Sequence, residues 1–485
     1  MWGKLLKSLF LYIKIYLYME KRQYSLQELK DISINCNVKY YMADIWEIRD
    51  QYLALTPEQI AQSFEFQSTL PIIYIMMGDL HKARELIDNI TLEPIKLLVE
   101  IALPLNTDIE FFKTVQRLRA LNMTSFHLTF SAGRPSFING VRDFTRYGIF
   151  LKKYKNVAIN ALKTLYGSLA PEIYDIALAE YLYQKNQCVD AMMLITGVLP
   201  KLEKAGDMRA LFVALHLQMA ILLVRGESES VSNMVKELHL RLSKEGSAEL
   251  TYNIDALEAW LYIYEGNIDK VTDWMENKAP DEHCDFNMLD LYRYMVKMRC
   301  YLLTGKYMAL ISLSEKLRPY LREGHRRMDL CEMDVIVAMA AFQVCKFEEA
   351  YNALELAFKN AKRYDFDRLI GDEGSLMVKL LIKYKKDRPN SKYINYANKV
   401  LDIARSVAIS YPDYLVLPYK KEMSFTNTEK DILKLMYNGK SYEEIADFYD
   451  ISINTVRYHI KNIYSKMDVN SANKALSKAK SLGLL

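Results

Sequence analysis

A chain of 485 residues is too long for one compact core, so two or three folded units are expected. Apolar residues make up 51%, which excludes an intrinsically disordered polymer, and the net charge of only +4 means that any nucleic-acid contact must come from a local patch. With 12 prolines and 17 glycines against 35 tyrosines, breakers are few and large side chains many, which suits a mostly helical protein.

The six cysteines, Cys36, Cys188, Cys284, Cys300, Cys331 and Cys345, form no C-x-x-C pair and sit at no metal-ligand spacing with a histidine. They read as free thiols in a reducing cytoplasm, since disulfide frameworks belong to small secreted chains.

Residues 1–39 read as an N-terminal helical segment. Leu5 to Met19 is apolar and aromatic, but Lys7 and Lys14 interrupt it. A run of about 18 apolar residues is missing, as is a small-residue cleavage site, so neither a membrane span nor a signal peptide is expected. An amphipathic first helix is the preferred reading, with translation starting at Met19 as the alternative.

Residues 40–385 read as a helical repeat. Junctions such as Tyr264-Glu265-Gly266-Asn267 end one apolar helix and open the next. Aligning them on positions 185, 226, 266, 305 and 346 gives steps of 41, 40, 39 and 41 residues, enough for two helices and two turns. Tyr74 to Leu80, followed by Ala83, is an earlier copy. Glycine suits a left-handed helix end, and Ala83, Ala191, Ala309 and Ala350 after the turns suit close helix approach. One such pair cannot bury its own apolar face, so neighbours must stack into a superhelix with a concave surface.

Two stretches stand out from the repeat. From about Leu103 to Gly148 the array is interrupted, with loop signals at Ser131 to Ser136 and at Asn139-Gly140. This is either a long surface loop or one that projects into the groove. Phe366 to Gly374 mixes charges with two glycines, and is either a solvated turn or an interface with the C-terminal part. Residues 386–424 read as a further helix and a linker beginning at Tyr411-Pro412, with Pro418 inside it.

The chain has no phosphate-loop sequence, no dinucleotide fingerprint, no nucleophile elbow and no H-E-x-x-H. Its seven histidines are scattered, and the adjacent His283-Cys284 pair reads as structural. No enzyme activity, cofactor or metal is therefore expected.

Residues 425–485 read as a four-helix module. Thr426 to Glu429 and Ser441 to Glu444 have capping-box spacing, and Asn438-Gly439 separates the helices they open. After the turn Asp450-Ile451-Ser452, a third helix sorts by face. Ile453, Val456, Ile460, Ile463 and Met467 form a buried stripe, whereas Asn454, Arg457, Tyr458, Lys461 and Ser465 lie opposite. Thr455, His459, Asn462 and Lys466 flank them. Arg457, Lys461 and Lys466 make this helix +3 with no acid, while the module holds nine basic and seven acidic residues, a net of only +2. A short helix, a tight turn and a longer helix with a polar outer face suit entry into the DNA major groove.

These residues carry a resemblance. F-T-x-x-E-x-x-I-L-x-L from Phe425, G-x-S-x-x-E-I-A from Gly439, I-S-x-x-T-V-R-x-H-I-x-x-I-Y-x-K-M from Ile451 and the closing G-L-L resemble the LuxR-type DNA-binding domain without a gap. The resemblance implies that Arg457, Tyr458 and Lys461 face bases and that Thr455 and His459 face phosphates or hold the helix. It also implies that the last helix, Ala472 to Leu482, carries a dimer contact. The candidate DNA-contacting set is Asn454, Thr455, Arg457, Tyr458, His459, Lys461 and Lys466. Two departures are Tyr449, where the family usually has an aliphatic residue, and Ala472, where it often has arginine.

More loosely, residues 40–385 resemble the sensor half of MalT-like regulators, through the loop near Arg134 and the Arg368 to Gly374 cluster. Such regulators carry an ATP-binding switch domain before the sensor, and this chain has no phosphate loop to supply one, so it reads as a stand-alone regulator or a fragment. The expectation is an all-α protein: a TPR-like solenoid that controls a LuxR-type helix-turn-helix in a cytoplasmic transcription regulator. The implied partners are double-stranded DNA bound as a homodimer, RNA polymerase, and a small-molecule or protein effector on the repeats, with no membrane. The rival is an interaction scaffold whose helix-turn-helix is a docking element.

Overall fold

A computed structural model describes residues 22–39, 42–106, 108–121, 133–140, 142–245, 248–415, 425–467, 469 and 471–481. Every regular element among them is helical, and an antiparallel bridge between Asn139 and Asp143 is the sole strand-like pairing. The expected amphipathic helix at Leu5 to Met19 lies outside the described residues, where the first helix is Leu26–Lys39. Two compact units divide the chain, Met1–Val416 and Leu417–Leu485.

The first unit is built on the expected helix pairs: Ala170–Gln184 with Cys188–Ala205, Met208–Val224 with Ser228–Glu245, Ala248–Tyr264 with Ile268–Asn277, Leu291–Leu303 with Tyr307–Glu323, and Arg327–Gln343 with Phe347–Tyr364. Phe64–Met77 with Leu80–Asp88 is an earlier pair of the same kind. In each, one left-handed residue ends the first helix: Gly78, Asn186, Gly226, Gly266, Gly305 and Cys345, with φ between 61° and 88°. The next backbone N–H then reaches back five residues to a helical carbonyl, as Asp79 does to Tyr74 (3.0 Å), Gln187 to Leu182 (2.8 Å) and Lys346 to Ala341 (2.9 Å). That bond satisfies a carbonyl which the helix end would otherwise leave open.

The left-handed residues correct the alignment at both ends. The turns fall on Asn186 and Cys345 rather than on 185 and 346, so the steps are 226 − 186 = 40, 40, 39 and 345 − 305 = 40. Asparagine and cysteine hide the turn from a search for glycine. Five residues after each turn stands a fully buried side chain: Ala83, Ala191, Val231, Val271, Leu310 and Ala350. Ala309 is therefore displaced by Leu310, and a small residue is not required there. The partner helix accommodates valine or leucine at the same place.

The interrupting stretch packs against the first helices of several pairs. Arg134 pairs with Asp329 and with Glu332 (2.7 Å) on Arg327–Gln343. Glu180 on Ala170–Gln184 accepts from the Ser136 hydroxyl and the Phe137 N–H (2.8 Å). Arg326 donates to the carbonyls of Gly140 and Asn139. Gly133 lies so close to the Met288 carbonyl that a Cβ would stand 2.2 Å from its oxygen, and its own carbonyl accepts from the Tyr292 N–H at 2.8 Å. The surface-loop alternative therefore fails for residues 133–145.

The Phe366 to Gly374 cluster is buried, not a solvated turn. Asp372 accepts from the Tyr183 hydroxyl (2.5 Å), Arg299 pairs with Glu373 and with Glu332 (2.7 Å), and Arg368 pairs with Asp372 (2.8 Å). Mixed charge marks an internal ion-pair network because each charge meets its opposite inside. Helix Ile394–Ser410 packs on Gly374–Asp387. Tyr411 and Tyr414, read from the sequence as the start of a linker, are buried against Tyr264, with the Tyr414 ring stacked at 4.2 Å. Between Arg134, His216, Tyr292, Glu332 and Asp372 a cavity of about 130 Å³ remains.

Candidate DNA-interaction surface

The second unit forms from four helices, Asn427–Tyr437, Tyr442–Tyr449, Ile453–Met467 and Ala472–Ser481. Both expected capping boxes are present. The Thr426 oxygen accepts from the Glu429 N–H (3.2 Å) while the Glu429 carboxylate accepts from the Thr426 N–H (2.8 Å), and Ser441 and Glu444 repeat the arrangement. Gly439, at φ 76°, ends the first helix, with Lys440 N–H bonded to the Leu435 carbonyl (3.1 Å). Asp450 is left-handed as well and makes the turn between the second and third helices tight.

The third helix is opened by Ser452, whose Oγ accepts from the Thr455 N–H at 3.2 Å. Val456, Ile460, Ile463 and Met467 are buried against Ile432, Leu433, Ile445 and Ala446. Ile453 departs from the expected stripe. It sits in the first turn, is 36% exposed and is not part of the unit's core cluster. The burial of this helix therefore begins at Val456.

Asn454, Arg457, Tyr458 and Lys461 are exposed on one side of the helix, with Tyr458 63% accessible. Thr455 and His459 are half-buried along the flank. The Thr455 hydroxyl hydrogen-bonds to Ser452 Oγ at 2.9 Å, and the His459 ring stands edge-to-face to Tyr458 at 5.9 Å. Lys466 lies on the same helix, but its side chain is outside the described residues. The sequence-derived set is thus brought onto one helix, with Asn454, Arg457, Tyr458 and Lys461 sharing an accessible face. Ser452, which the sequence offers as the cap of this helix and which is outside the candidate set, is exposed at the helix start beside Thr455.

The two departures from the family pattern have local accounts. Tyr449 is half-buried in the unit's core, and burial together with the nearby Asp431 raises its hydroxyl pKa. An aromatic ring thus fits where an aliphatic one is usual. Ala472 packs on the same core from the start of the last helix.

Outside this unit, the His239, Asp255 and Glu258 ligand atoms lie within 4.8 Å of one another, but Lys278 holds Asp255 at 2.8 Å, so an ion-pair cluster accounts for them. Among the described residues no helix is long and apolar enough to cross a membrane.

Residues 423–479 match the model of the family "Bacterial regulatory proteins, luxR family". Curated relatives agree. The chain is 38% identical over 66 residues to the uncharacterized response regulatory protein YgeK of Escherichia coli, covering 14% of this chain and 45% of that one. It is 31% identical over 98 residues to the transcriptional regulatory protein DesR of Bacillus subtilis, covering 20% and 48%. A longer and more distant similarity, 22% identity over 275 residues, joins 53% of this chain to 30% of the HTH-type transcriptional regulator MalT of Vibrio parahaemolyticus. The chain spans less than half the length of each of these relatives. The C-terminal unit is a helix-turn-helix domain of the luxR family, and the chain that carries it is similar to MalT over about half its length.

Proposed function

We propose that the protein is a DNA-binding transcription regulator in which the helical-repeat unit controls the luxR-family domain. The observation that carries this reading is the third helix of that domain. It buries Val456, Ile460 and Ile463 and leaves Asn454, Arg457, Tyr458 and Lys461 open on a face without acids. Arginine and lysine can meet guanine O6 and N7 there, and asparagine can meet adenine, while Thr455, His459, Ser452 and Lys466 serve phosphates or hold the helix.

Residues 40–385 are the sensor in this reading, helix Ile394–Ser410 caps it, and the segment up to 424 joins it to the DNA-binding residues 425–485. A small-molecule or protein effector acts on the repeats. Two chains occupy a pair of half-sites, the last helix contributes to the dimer contact, and RNA polymerase is the downstream partner. The protein works in the cytoplasm and catalyses no reaction.

In vitro selection of DNA sites with the full chain, followed by a salt titration, tests the reading. A regulator enriches a sequence, holds it far more tightly than random DNA and loses affinity steeply with salt. An unselected pool with no measurable binding would return the helix-turn-helix to the role of a docking element.

A further inference from the structure

The cavity left between the inserted stretch and the repeat helices is walled by charges that pair off with one exception. Among its lining residues Arg134 meets Glu332, Arg299 meets Glu332 and Glu373, and Arg368 meets Asp372. His216 adds no charge at neutral pH, because burial, and after it Arg134, push its imidazole down to about 3. Glu180 is the remaining carboxylate of the lining, and it forms no ion pair with a described residue. Its oxygens accept from two neutral donors, the Ser136 hydroxyl and the Phe137 N–H (2.8 Å). Arg134 acts on it only through its field, a smaller influence than burial and those hydrogen bonds.

A second acceptor belongs to the same lining. Asn139 is buried, and its Nδ2 donates to Asp329 (3.2 Å), which fixes Oδ1 as the other end of the amide. That Oδ1 has no hydrogen-bond partner among the described residues. Ser136 ties the two acceptors together, since its Oγ donates to Glu180 and accepts from the Asn139 N–H (2.8 Å). A buried carboxylate without a cation and a buried carbonyl without a donor are each costly, and here they line one cavity. Burial raises the Glu180 carboxyl to about 7, so without a cation a proton takes that place part of the time.

We propose that this cavity is the effector site of the repeats and that its ligand is a small organic molecule with a primary ammonium group, held by Glu180 and Asn139. An ammonium brings one positive charge and only donors, the two things this end of the cavity lacks. A hydroxyl brings no charge, and a carboxylate would meet Glu180 as a like charge. The volume of about 130 Å³ is several times the roughly 10–15 Å³ that one water needs and below the roughly 300–1,000 Å³ of drug-sized sites, so the ligand is small. Leu217, Ala220, Val296 and Trp260 offer apolar surface to its carbon skeleton. Trp260 and Glu373 of the lining also hold the Tyr414 hydroxyl (3.2 and 3.4 Å), close to Val416, where the first unit ends and the chain continues to the DNA-binding residues. The inference rests on the reading of the repeats as a sensor, but binding is measured without DNA, so its failure and the failure of the DNA-binding reading are separate results.

Calorimetric titration of the full chain with ethylamine, n-butylamine and phenethylamine, each beside the alcohol and the carboxylate of the same skeleton, tests it. At least one amine binds at one site per chain, and its alcohol and carboxylate bind tenfold or more weakly. Glu180→Gln removes the charge and weakens that amine tenfold or more. Because this variant loses an unpaired buried charge, it is expected to be more stable than the wild type, and an unchanged circular dichroism spectrum separates lost binding from lost fold. Glu315→Gln, at an exposed position elsewhere on the repeats, binds as the wild type does. The comparison of amine, alcohol and carboxylate on the wild type decides the matter even if the Glu180 variant does not fold. The proposal is overturned if no amine gives a saturable signal, if the alcohol or the carboxylate binds as tightly as its amine, or if folded Glu180→Gln binds the amine as tightly as the wild type.

Discussion

Arg457 and Lys461 stand one helical turn apart on the exposed face, and their fates under substitution differ from those of the residues beneath them. Arg457→Ala is expected to cost roughly 1–3 kcal/mol on the selected DNA site and to relax its base preference, measured by competition against single-base variants. An equal loss on every sequence would mean phosphate contact alone. A second residue-scale outcome concerns Glu180. Burial pushes its carboxyl up to about 7, partly offset by its bonds to Ser136 and the Phe137 amide. A carboxyl raised above its unfolded value of 4.5 contributes stability below that pH and loses it as pH rises through 7. Buried His216, held down at about 3, opposes this trend below pH 6.5, so the wild-type curve alone is uninformative. Glu180→Gln should gain roughly 2–3 kcal/mol on the wild type between pH 5 and pH 8, read from urea midpoints at each pH. A constant difference across that range would rule the buried carboxyl out as the cause. At this scale the sequence showed Asn454, Arg457, Tyr458 and Lys461 as outward, because helical spacing alone assigns them, while the Ser465 side chain lies outside the described residues. It misplaced Ile453, because spacing assigns a side but carries no information about where along the helix the core begins.

At the scale of the element, the repeat owes its regularity to one left-handed residue per pair. The 40-residue step was legible wherever that residue is glycine and slipped by one where it is Asn186 or Cys345. Cys345 is exposed and holds a left-handed conformation that a non-glycine residue reaches only at a cost. Cys345→Gly should therefore stabilise the first unit by about 0.5–1 kcal/mol in thermal unfolding, with Gly226→Ala shifting it the other way. Caps were the most legible features of all, since Thr426 with Glu429 and Ser441 with Glu444 need only a three-residue spacing. Ser441→Ala is expected to cost the C-terminal unit about 1 kcal/mol, and no change in its melting temperature would show that the cap is redundant.

Over the whole molecule, the least legible feature is the set of buried contacts that the inserted stretch and the Phe366 to Gly374 cluster make with distant helices. Arg134 with Asp329 and Tyr183 with Asp372 join residues far apart in sequence, and no local pattern announces such a pairing. The mixed charges of Phe366 to Gly374 resemble those of a surface turn until their partners on other helices are known. Breaking this network by Arg299→Met should destabilise the first unit by about 3–5 kcal/mol, because Glu332 and Glu373 are left buried without it. At Glu332 burial works against the charge, and Arg134 and Arg299 outweigh it to hold the carboxyl at about 2.

The pairing of Tyr183 with Asp372 has a further consequence for how the chain comes into being. A linear solenoid can settle pair by pair as it leaves the ribosome. Here the pair opened by Ala170–Gln184 waits for a partner 372 − 183 = 189 residues downstream, which at 5–20 residues per second is a delay of roughly 10–40 s. Throughout that interval Tyr183 is without its buried partner, so a nascent chain halted before Phe366 should be more protease-sensitive around Ala170–Gln184 than one released after Leu415.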